Sequence, residues 1–303
     1  MNRIVCIGEC MVELAQAGPG TYRRGFAGDT FNTAWYARRL LPETARVDYL
    51  SCIGDDTMSD QMEAFMQDAG IGTGHLHRIP GRSVGLYMIS TQGGERCFSY
   101  WRDTAAARSL ADDRARLDRA LEGADIAHFS GITLAILSPD ARTRLFAALD
   151  LARKNGTTVT FDTNLRPRLW EDEATMRGGL TRGAAAADIV LPSFDEEQGL
   201  FGDATPEGTI ARYRGAGAGT VVVKNGADEV TFWSTEGGID RLQPTPVAQV
   251  VDTTAAGDSF AGALLAARAG GTDLRDAVRA ASDLSGRVIQ APGALVEEAV
   301  APD

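Results

Sequence analysis

The sequence predicts an α/β fold in which a mostly parallel central sheet is flanked by helices. Short apolar runs bounded by Gly, Asp or Asn recur along the chain, as expected for strands that are buried on both faces. Amphipathic segments lie between these runs, which is typical of repeated strand–helix–strand units. Hydrophobic residues make up 44% of the 303 residues and charged residues 23%, so the chain can bury a sizeable core.

The order of the elements follows from the same two patterns. Strands are predicted at residues 4–7, 47–53, 125–129, 158–161, 188–191 and 220–223. The amphipathic segments between them predict helices at residues 29–41, 57–69, 138–155 and 171–187. After the last of these strands, two further helices are predicted at residues 259–269 and 273–290.

Two regions interrupt this alternation, at about residues 10–27 and 84–101. Each contains two extended runs without a helix between them, and their turns are Gly18-Pro19-Gly20 and a segment with Gly93-Gly94 at its tip. We therefore expect four antiparallel strands that form a small β-sheet over one edge of the domain. This sheet is either a pair of surface hairpins or a lid over the strand ends, where α/β proteins bind ligands.

Charge and composition exclude several classes of protein. The chain has 30 Lys and Arg against 41 Asp and Glu, a formal net charge of −11, so no nucleic-acid or anionic membrane partner is expected. Its four cysteines are too few for a disulfide framework and lack CxxC spacing. His75 and His77 could share one face of a strand, but no third metal ligand is evident. With no charged leader and no apolar run near the ~18 residues that span a bilayer, we expect a cytoplasmic protein.

The segment at residues 250–262 carries the clearest chemical pattern. Ala255, Ala256 and Gly257 precede an apolar helix and leave its first backbone N–H groups uncovered. Such groups, together with the helix dipole, form an anion hole suited to a phosphate. Asp258 places a carboxylate beside this hole, where it can accept the proton of a hydroxyl that attacks phosphorus. Alternatively, Asp258 is an ordinary residue at the start of a helix.

Two separated motifs resemble the PfkB (ribokinase-like) carbohydrate kinases. Residues 252–260 (DTTAAGDSF) are similar to the C-terminal signature of that family, which more often has Gly in place of Ala255. Residues 27–34 (AGDTFNTA) resemble its sugar-binding motif, which usually begins Gly-Gly rather than with Ala27. The resemblance covers about residues 3–297 and implies one ribokinase-like domain over residues 1–303, with lid strands at 10–27 and 84–101. Neither a P-loop nor a GxGxxG fingerprint competes with it.

The resemblance implies an ATP-dependent phosphotransferase with Mg²⁺. Asp258 would be the base and the backbone of Ala255, Ala256 and Gly257 the anion hole. Glu196 would reach the metal through water, although Ser193 replaces the Asn of the family motif. The nucleotide would be bound by the anion-hole backbone together with Asn164, Lys224, Asn225, Gly226, Glu229, Thr254, Ser282 and Ser285. The helix that carries the two serines is otherwise explained as a packing helix.

Among these kinases the chain most resembles those that phosphorylate 2-keto-3-deoxygluconate. The similarity lies in the sugar-binding motif and in residues 99–106 (SYWRDTAA) and 161–170 (FDTNLRPRLW). That substrate carries a carboxylate, which the forked guanidinium of an arginine binds well. Arg102 and Arg166 would supply this recognition from the lid and from a strand end, unless they are ordinary surface arginines.

The remaining candidates bind sugar oxygens. Tyr87 and Tyr100 from paired lid strands would donate to them, or else form the apolar core of the lid. Asp29 and Asn32 lie three residues apart at the start of one helix and suit vicinal hydroxyls, with Gly28 leaving room for close approach. Asp29 is otherwise an N-cap.

We thus expect phosphorylation of 2-keto-3-deoxygluconate at its 6-hydroxyl. A fructokinase or another PfkB sugar kinase is the alternative within the class, and a non-catalytic sugar-binding regulatory protein is the alternative outside it. Because exposed lid edges tend to pair, a homodimer through the lid is expected.

Overall fold

The computed structural model describes residues 2–92 and 95–301. Its strands are β1 (Arg3–Ile7), β2 (Met11–Gly18), β3 (Thr21–Ala27), β4 (Arg46–Ile53), β5 (Gly72–Arg78), β6 (Gly85–Gln92), β7 (Glu95–Trp101), β8 (Ile126–Ser130), β9 (Thr158–Asp162), β10 (Ile189–Leu191), β11 (Thr220–Val223), β12 (Val230–Ser234) and β13 (Gly238–Leu242). Its α-helices are α1 (Asp29–Leu40), α2 (Thr57–Asp68), α3 (Arg114–Leu121), α4 (Gly131–Ile136), α5 (Pro139–Lys154), α6 (Glu173–Ala185), α7 (Phe194–Phe201), α8 (Pro206–Ala216), α9 (Ala256–Ala269) and α10 (Leu274–Val288).

The main sheet contains nine strands in the order β13-β12-β11-β10-β9-β8-β1-β4-β5. The pairs from β5 to β11 are parallel, and β12 and β13 add an antiparallel edge. One apolar cluster covers the face under α3, α5, α6 and α8, and a second covers the face under α1, α2, α9 and α10. The predicted mostly parallel sheet flanked by helices is confirmed.

Local sequence explains where several helices begin. The side chains of Asp56, Asp113, Ser138 and Asp172 accept a hydrogen bond from the backbone N–H three residues later, at the starts of α2, α3, α5 and α6. Pro139 is the first residue of α5, where its missing N–H has no consequence. These caps explain why the predicted boundaries of α2, α5 and α6 agree closely with the observed ones, whereas α3 was not predicted.

The small sheet has the order β3-β2-β6-β7 and contains the strands predicted as a lid, a name kept for it below. Each hairpin is antiparallel, but β2 pairs with β6 in parallel, so the prediction of four antiparallel strands was wrong. The reason is that β2 follows β1 and β6 follows β5, two strands that point the same way in the main sheet. The predicted Gly93-Gly94 turn lies outside the described residues.

Further elements depart from the predictions, among them helices α3, α4, α7 and α8, which were not predicted. The edge strands β5 and β13 were not predicted, because glycines and charged residues interrupt their apolar pattern, and the short β12 between Glu229 and β13 was missed with them. Helix α9 begins at Ala256, three residues earlier than expected, directly after Ala255 in the left-handed region (φ 59°).

In the described part of the chain, no helix is long and apolar enough to span a membrane.

Candidate active site

The first turn of α9 carries the backbone N–H groups that the sequence predicts as an anion hole. Ala255 is the N-cap, and its left-handed backbone turns the chain sharply into the helix. No backbone carbonyl in the described residues accepts from the N–H groups of Gly257 and Asp258, so these donors face outward from the helix end. Asp258 is the third helical residue rather than the N-cap, which removes the capping explanation for its carboxylate.

The loop before α9 is held by Asp252. One carboxylate oxygen accepts from the backbone N–H and the hydroxyl of Thr254, at 3.0 and 2.7 Å, and the other accepts from the backbone N–H of Gly293, at 2.6 Å. Asp252 is buried, and the segment it joins to Gly293 lies directly before the anion hole. Thr254, predicted to contact the nucleotide, therefore also shapes the loop that carries Ala255.

Lys224 adds a positive charge beside the anion hole. It follows β11, and its Nζ donates to both oxygens of Asp162 at the end of β9, at 2.9 and 3.1 Å. A methyl group placed on Gly257 would lie 3.3 Å from that Nζ, so the ammonium group rests against the first turn of α9. Sequence reasoning missed Asp162, although a carboxylate at the end of a buried parallel strand is the usual place for one that acts in a site.

Asp258 is half-buried and is oriented by Asn32. Its Oδ2 accepts from Asn32 Nδ2 at 2.7 Å, and its backbone carbonyl accepts from the hydroxyl of Thr33 at 3.2 Å. The pKa of Asp258 is raised to about 7, mainly by burial and then by the carboxylates of Asp29 and Asp162, while Asn32 and Lys224 lower it. The carboxylate is therefore a base matched to neutral pH.

The contact between α1 and α9 depends on a glycine. A methyl group on Gly262 would lie 2.7 Å from Tyr36 Cβ and 2.9 Å from the Thr33 carbonyl, so only glycine permits this approach. The close approach is what brings Asn32 of α1 within hydrogen-bond distance of Asp258 of α9.

Asp29 lies on the acceptor side of the same site. The N-cap of α1 is Gly28, whose added methyl would lie 2.1 Å from the Glu9 carbonyl, so Asp29 is not the cap. Its Oδ2 accepts from Asn164 Nδ2 at 2.9 Å, and burial raises the pKa of Asp29. Its Oδ1 is buried and meets no donor at hydrogen-bond distance within residues 2–92 and 95–301, which leaves an acceptor for a sugar hydroxyl.

The two predicted arginines occupy different surroundings. Arg166 Nη1 donates to Glu196 Oε1 at 2.8 Å, and the carboxylates of Glu196, Asp29 and Asp258 raise its pKa although burial lowers it. Its guanidinium is half-exposed and lies within electrostatic range of Asp258. Arg102 instead is buried and its Nη2 donates to the Glu9 carboxylate, so the expectation that both guanidinium groups are free over one cleft does not match the structure.

The carboxylate of Glu196 accepts two hydrogen bonds from the loop after β9. Its Oε2 accepts from the backbone N–H of Leu165 at 3.0 Å, while Oε1 accepts from Arg166. Across the described chain, no three His, Cys, Asp or Glu side chains gather into a metal-binding group. A direct protein cage for a metal is thus not formed here.

The lid tyrosines differ in exposure. The hydroxyl of Tyr87 donates to Glu13 and its ring is buried, which fits a lid-core residue. Tyr100 is 52% exposed, and its ring centroid lies 6.0 Å from that of Tyr87. Only Tyr100 therefore keeps its hydroxyl directed away from the lid core.

The predicted nucleotide residues form two groups. Asn225, Gly226 and Glu229 lie in the turn between β11 and β12, where Gly226 has φ 58° and needs to be glycine. Ser285 Oγ donates to the carbonyl of Ala256 at 3.0 Å and ties α10 to the anion hole. Ser282 donates to Val278 within its own helix, which favours packing over nucleotide contact.

Comparison with known proteins gives a consistent result. The family model described as pfkB family carbohydrate kinase matches residues 1–299. A 2-dehydro-3-deoxygluconokinase from Dickeya dadantii is 39% identical over 302 residues, covering 97% of each chain. The crystal structure of a PfkB protein from Polaromonas sp. JS666 has a TM-score of 0.85 and is 30% identical, covering 99% of this chain and 98% of that one. A putative ribokinase II from E. coli, solved with ATP and Mg²⁺, has a TM-score of 0.86 at 24% identity, covering 99% and 96%.

Proposed function

The chain belongs to the pfkB family of carbohydrate kinases, and we propose that within this family it transfers the terminal phosphoryl group of ATP to the 6-hydroxyl of 2-keto-3-deoxygluconate, the compound also called 2-dehydro-3-deoxygluconate. The observation that carries the proposal is the placement of Asp258, a carboxylate with a pKa of about 7, on the same helical turn as two backbone N–H groups that no carbonyl of the described residues accepts from. Relatives with that name span nearly the whole chain, which supports the substrate.

The reaction follows from these positions. Asp258 accepts the proton of the 6-hydroxyl, and the oxygen of that hydroxyl forms a bond to the terminal phosphorus of ATP. The bond from that phosphorus to the bridging oxygen of ADP breaks at the same time. Negative charge on the transferred group is stabilised by the N–H groups of Gly257 and Asp258 and by the ammonium group of Lys224. Asn32 holds the base in place through its 2.7 Å hydrogen bond.

Magnesium is expected with the nucleotide. When bound, Mg²⁺ would neutralise charge on the phosphate oxygens. Mg²⁺ usually keeps several waters and takes one or two carboxylates plus phosphates, which fits a site with no three-ligand protein cluster among the described residues. We propose that Glu196 contributes through water, since both of its oxygens already accept hydrogen bonds.

Selection of the sugar acid is assigned to Arg166. Its half-exposed guanidinium keeps donors that Glu196 does not use, and a carboxylate can accept from two of them. Arg102 would act indirectly, because Glu9 holds its guanidinium at the base of the lid.

A panel of sugars tests the assignment. We expect ADP release to be fastest with 2-keto-3-deoxygluconate, and turnover of fructose or ribose that equals or exceeds it would overturn the substrate. Arg166→Ala should raise KM for the keto-acid by about tenfold or more, with little change for a neutral sugar. Arg168→Ala, the same substitution at an exposed position two residues later, is the matched control.

We also propose a homodimer formed through the lid. The edge strand β7 exposes Phe98 and Trp101, at 42% and 58%, and exposed apolar edge strands favour pairing with another chain. Light scattering should give the mass of a dimer, and Trp101→Lys should shift it towards the monomer. A monomeric parent protein would refute this arrangement.

A further inference from the structure

A second cavity lies at the opposite edge of the main sheet from Lys224. It has a volume of about 320 Å³ and is enclosed by β4, the edge strand β5 and α3. That volume is at the small end of ligand sites and admits a small metabolite. None of the residues that form the anion hole lines it.

A β-bulge turns two histidines into this cavity. Asp48 of β4 is opposite Gly72 of β5, but Leu50 is opposite His75, so β5 contains one extra residue in this interval. Without that residue, Leu50 would face Gly74, and His75 and His77 would point to the other side of the sheet. The bulge therefore places both imidazoles over the face that carries Leu50 and Cys52.

The groups around the histidines are predominantly cationic. Arg116 and Arg119 reach the cavity from α3, and Asp113 is the only carboxylate among the described residues that line it. Asp113 pairs with Arg116 at 3.1 Å, whereas Arg119 makes no ion pair or side-chain hydrogen bond within residues 2–92 and 95–301. Arg119 is exposed to solvent, so its guanidinium is available to a ligand of opposite charge.

A hydrogen bond from Arg3 fixes which ring nitrogen of His75 can donate to a ligand. Arg3 donates to His75 Nε2 at 2.8 Å, which leaves Nδ1–H as the donor of that ring. Burial and the charges of Arg3 and Arg116 lower the pKa values of His75 and His77, while the carboxylates of Asp48 and Asp113 oppose this. Both rings are therefore neutral hydrogen-bond donors, and the charge of an anion would be met by Arg119. A metal is not supported, because the described residues contain no cluster of three ligands.

We propose that this cavity binds a small phosphorylated anion, whose phosphate group lies between His75, His77 and the guanidinium of Arg119. The site is separate from the kinase centre, so it is an effector site rather than a subsite for ATP or sugar. It adjoins the lid through residues 106–110, since Ser109 and Leu110 line it and the Ala106 N–H donates to the carbonyl of Ser83, just before β6.

The three histidines of the chain allow a direct test by NMR of labelled imidazoles. His75→Gln and His77→Gln assign the resonances. The probes are inorganic phosphate and glycerol phosphate at constant ionic strength. We expect the resonances of His75 and His77 to shift and to saturate with either probe. Tighter binding of glycerol phosphate would indicate that the ligand is a phosphorylated metabolite, and tighter binding of inorganic phosphate would indicate the inorganic ion. His128, which is buried and feels the charges of Asp162 and Lys224, reports separately on the kinase centre.

Two arginine variants complete the experiment. Arg119→Gln should weaken the binding measured from the shifts of His75 and His77 by about tenfold. It should alter neither the shifts of His128 nor the basal kinase activity. Arg114→Gln removes the same charge from the same helix at a position paired with Asp118, and should change the affinity by less than about twofold. Shifts that do not saturate, or that respond equally to the two variants, would overturn the proposal.

Discussion

The two walls of the candidate active site are held in different ways. The phosphoryl side is built from the ends of β9 and β11 and the first turn of α9, and its charges meet each other directly, as Lys224 meets Asp162 at 2.9 Å. The lid is a four-stranded sheet whose base is joined by the buried ion pair between Arg102 and Glu9. Within the described residues, Glu9 Oε1 and Arg102 Nε are buried without a hydrogen-bond partner.

Because of this difference, we expect the strand ends and α9 to serve phosphoryl transfer and the lid to serve selection of the sugar. Groups on rigid strand ends are in position before any ligand arrives, which is what stabilisation of a transition state requires. The lid carries exposed aromatic side chains and depends on few polar contacts at its base, so its position is set by weaker constraints. We expect substitutions on the first wall to change kcat, and substitutions on the lid to change stability and KM.

The largest effect is expected for Asp258→Asn. The amide cannot accept the proton of the hydroxyl, so kcat should fall by roughly 10²–10⁴ while ATP binding is nearly unchanged. In the parent enzyme kcat/KM should rise with pH up to about 7, because only the ionised carboxylate is active, and the variant should lose that rise. Asp276→Asn, on the exposed surface of α10, is the control. A variant that keeps more than about a tenth of the parent kcat would contradict the role of base.

The base of the lid should show the next largest effect, on stability. Arg102→Met leaves the Glu9 carboxylate buried without its partner, and should lower the free energy of unfolding by about 3–5 kcal/mol. The double variant Glu9→Gln/Arg102→Met should recover most of this loss, because no charge then remains buried. Urea unfolding of the parent, both single variants and the double variant measures the coupling. If the double variant is no more stable than Arg102→Met, the ion pair is not what supports the lid.

Lys224→Gln should have a smaller effect, and on kcat. The substitution removes the cation beside the anion hole and should lower kcat by about 10–100-fold. Lys154 and Lys224 are the two lysines of the chain, so Lys154→Gln is a matched control. Labelling of both amines should show protection of Lys224 alone when ATP is added. If adding ATP changes the labelling of neither lysine, Lys224 does not contact the phosphates.

The smallest effect is expected for Ala255→Gly. Alanine in the left-handed region is strained by roughly 1–2 kcal/mol, and glycine removes that strain while losing some entropy on folding. The net change should be a stabilisation of about 0.5–1 kcal/mol, measured by thermal unfolding. Ala267→Gly, in the last turn of the same helix, should change stability in the opposite direction, by up to about 1 kcal/mol. Destabilisation by both variants would mean that Ala255 is not strained.

The sequence was sufficient for features that depend on local pattern. The buried strands, the capped helices and the donors ahead of Asp258 all follow from neighbouring residues. Contacts between distant segments were not predictable in the same way. Arg102 and Glu9 are separated by 93 residues, and no local pattern indicates that the guanidinium turns inward rather than towards a ligand.

The topology of the lid and the cavity with the two histidines could not be predicted from the sequence for the same reason. Parallel pairing of β2 with β6 follows from where β1 and β5 end in the folded sheet, not from any turn motif. The bulge before His75 is a property of the pairing with β4, and the sequence shows only two glycines at that position. Asp162 was not predicted for a related reason, because its importance depends on Lys224, which lies 62 residues away.

The hydrogen bond between Asn32 and Asp258 joins residues that are 226 positions apart. During synthesis, which proceeds from the N-terminus, α1 therefore emerges long before the helix that supplies the base. A ribosome-bound chain can fold the residues proposed to hold sugar hydroxyls while it still lacks the group proposed to deprotonate them. Phosphate transfer begins only when translation is nearly finished, so incomplete chains do not consume ATP.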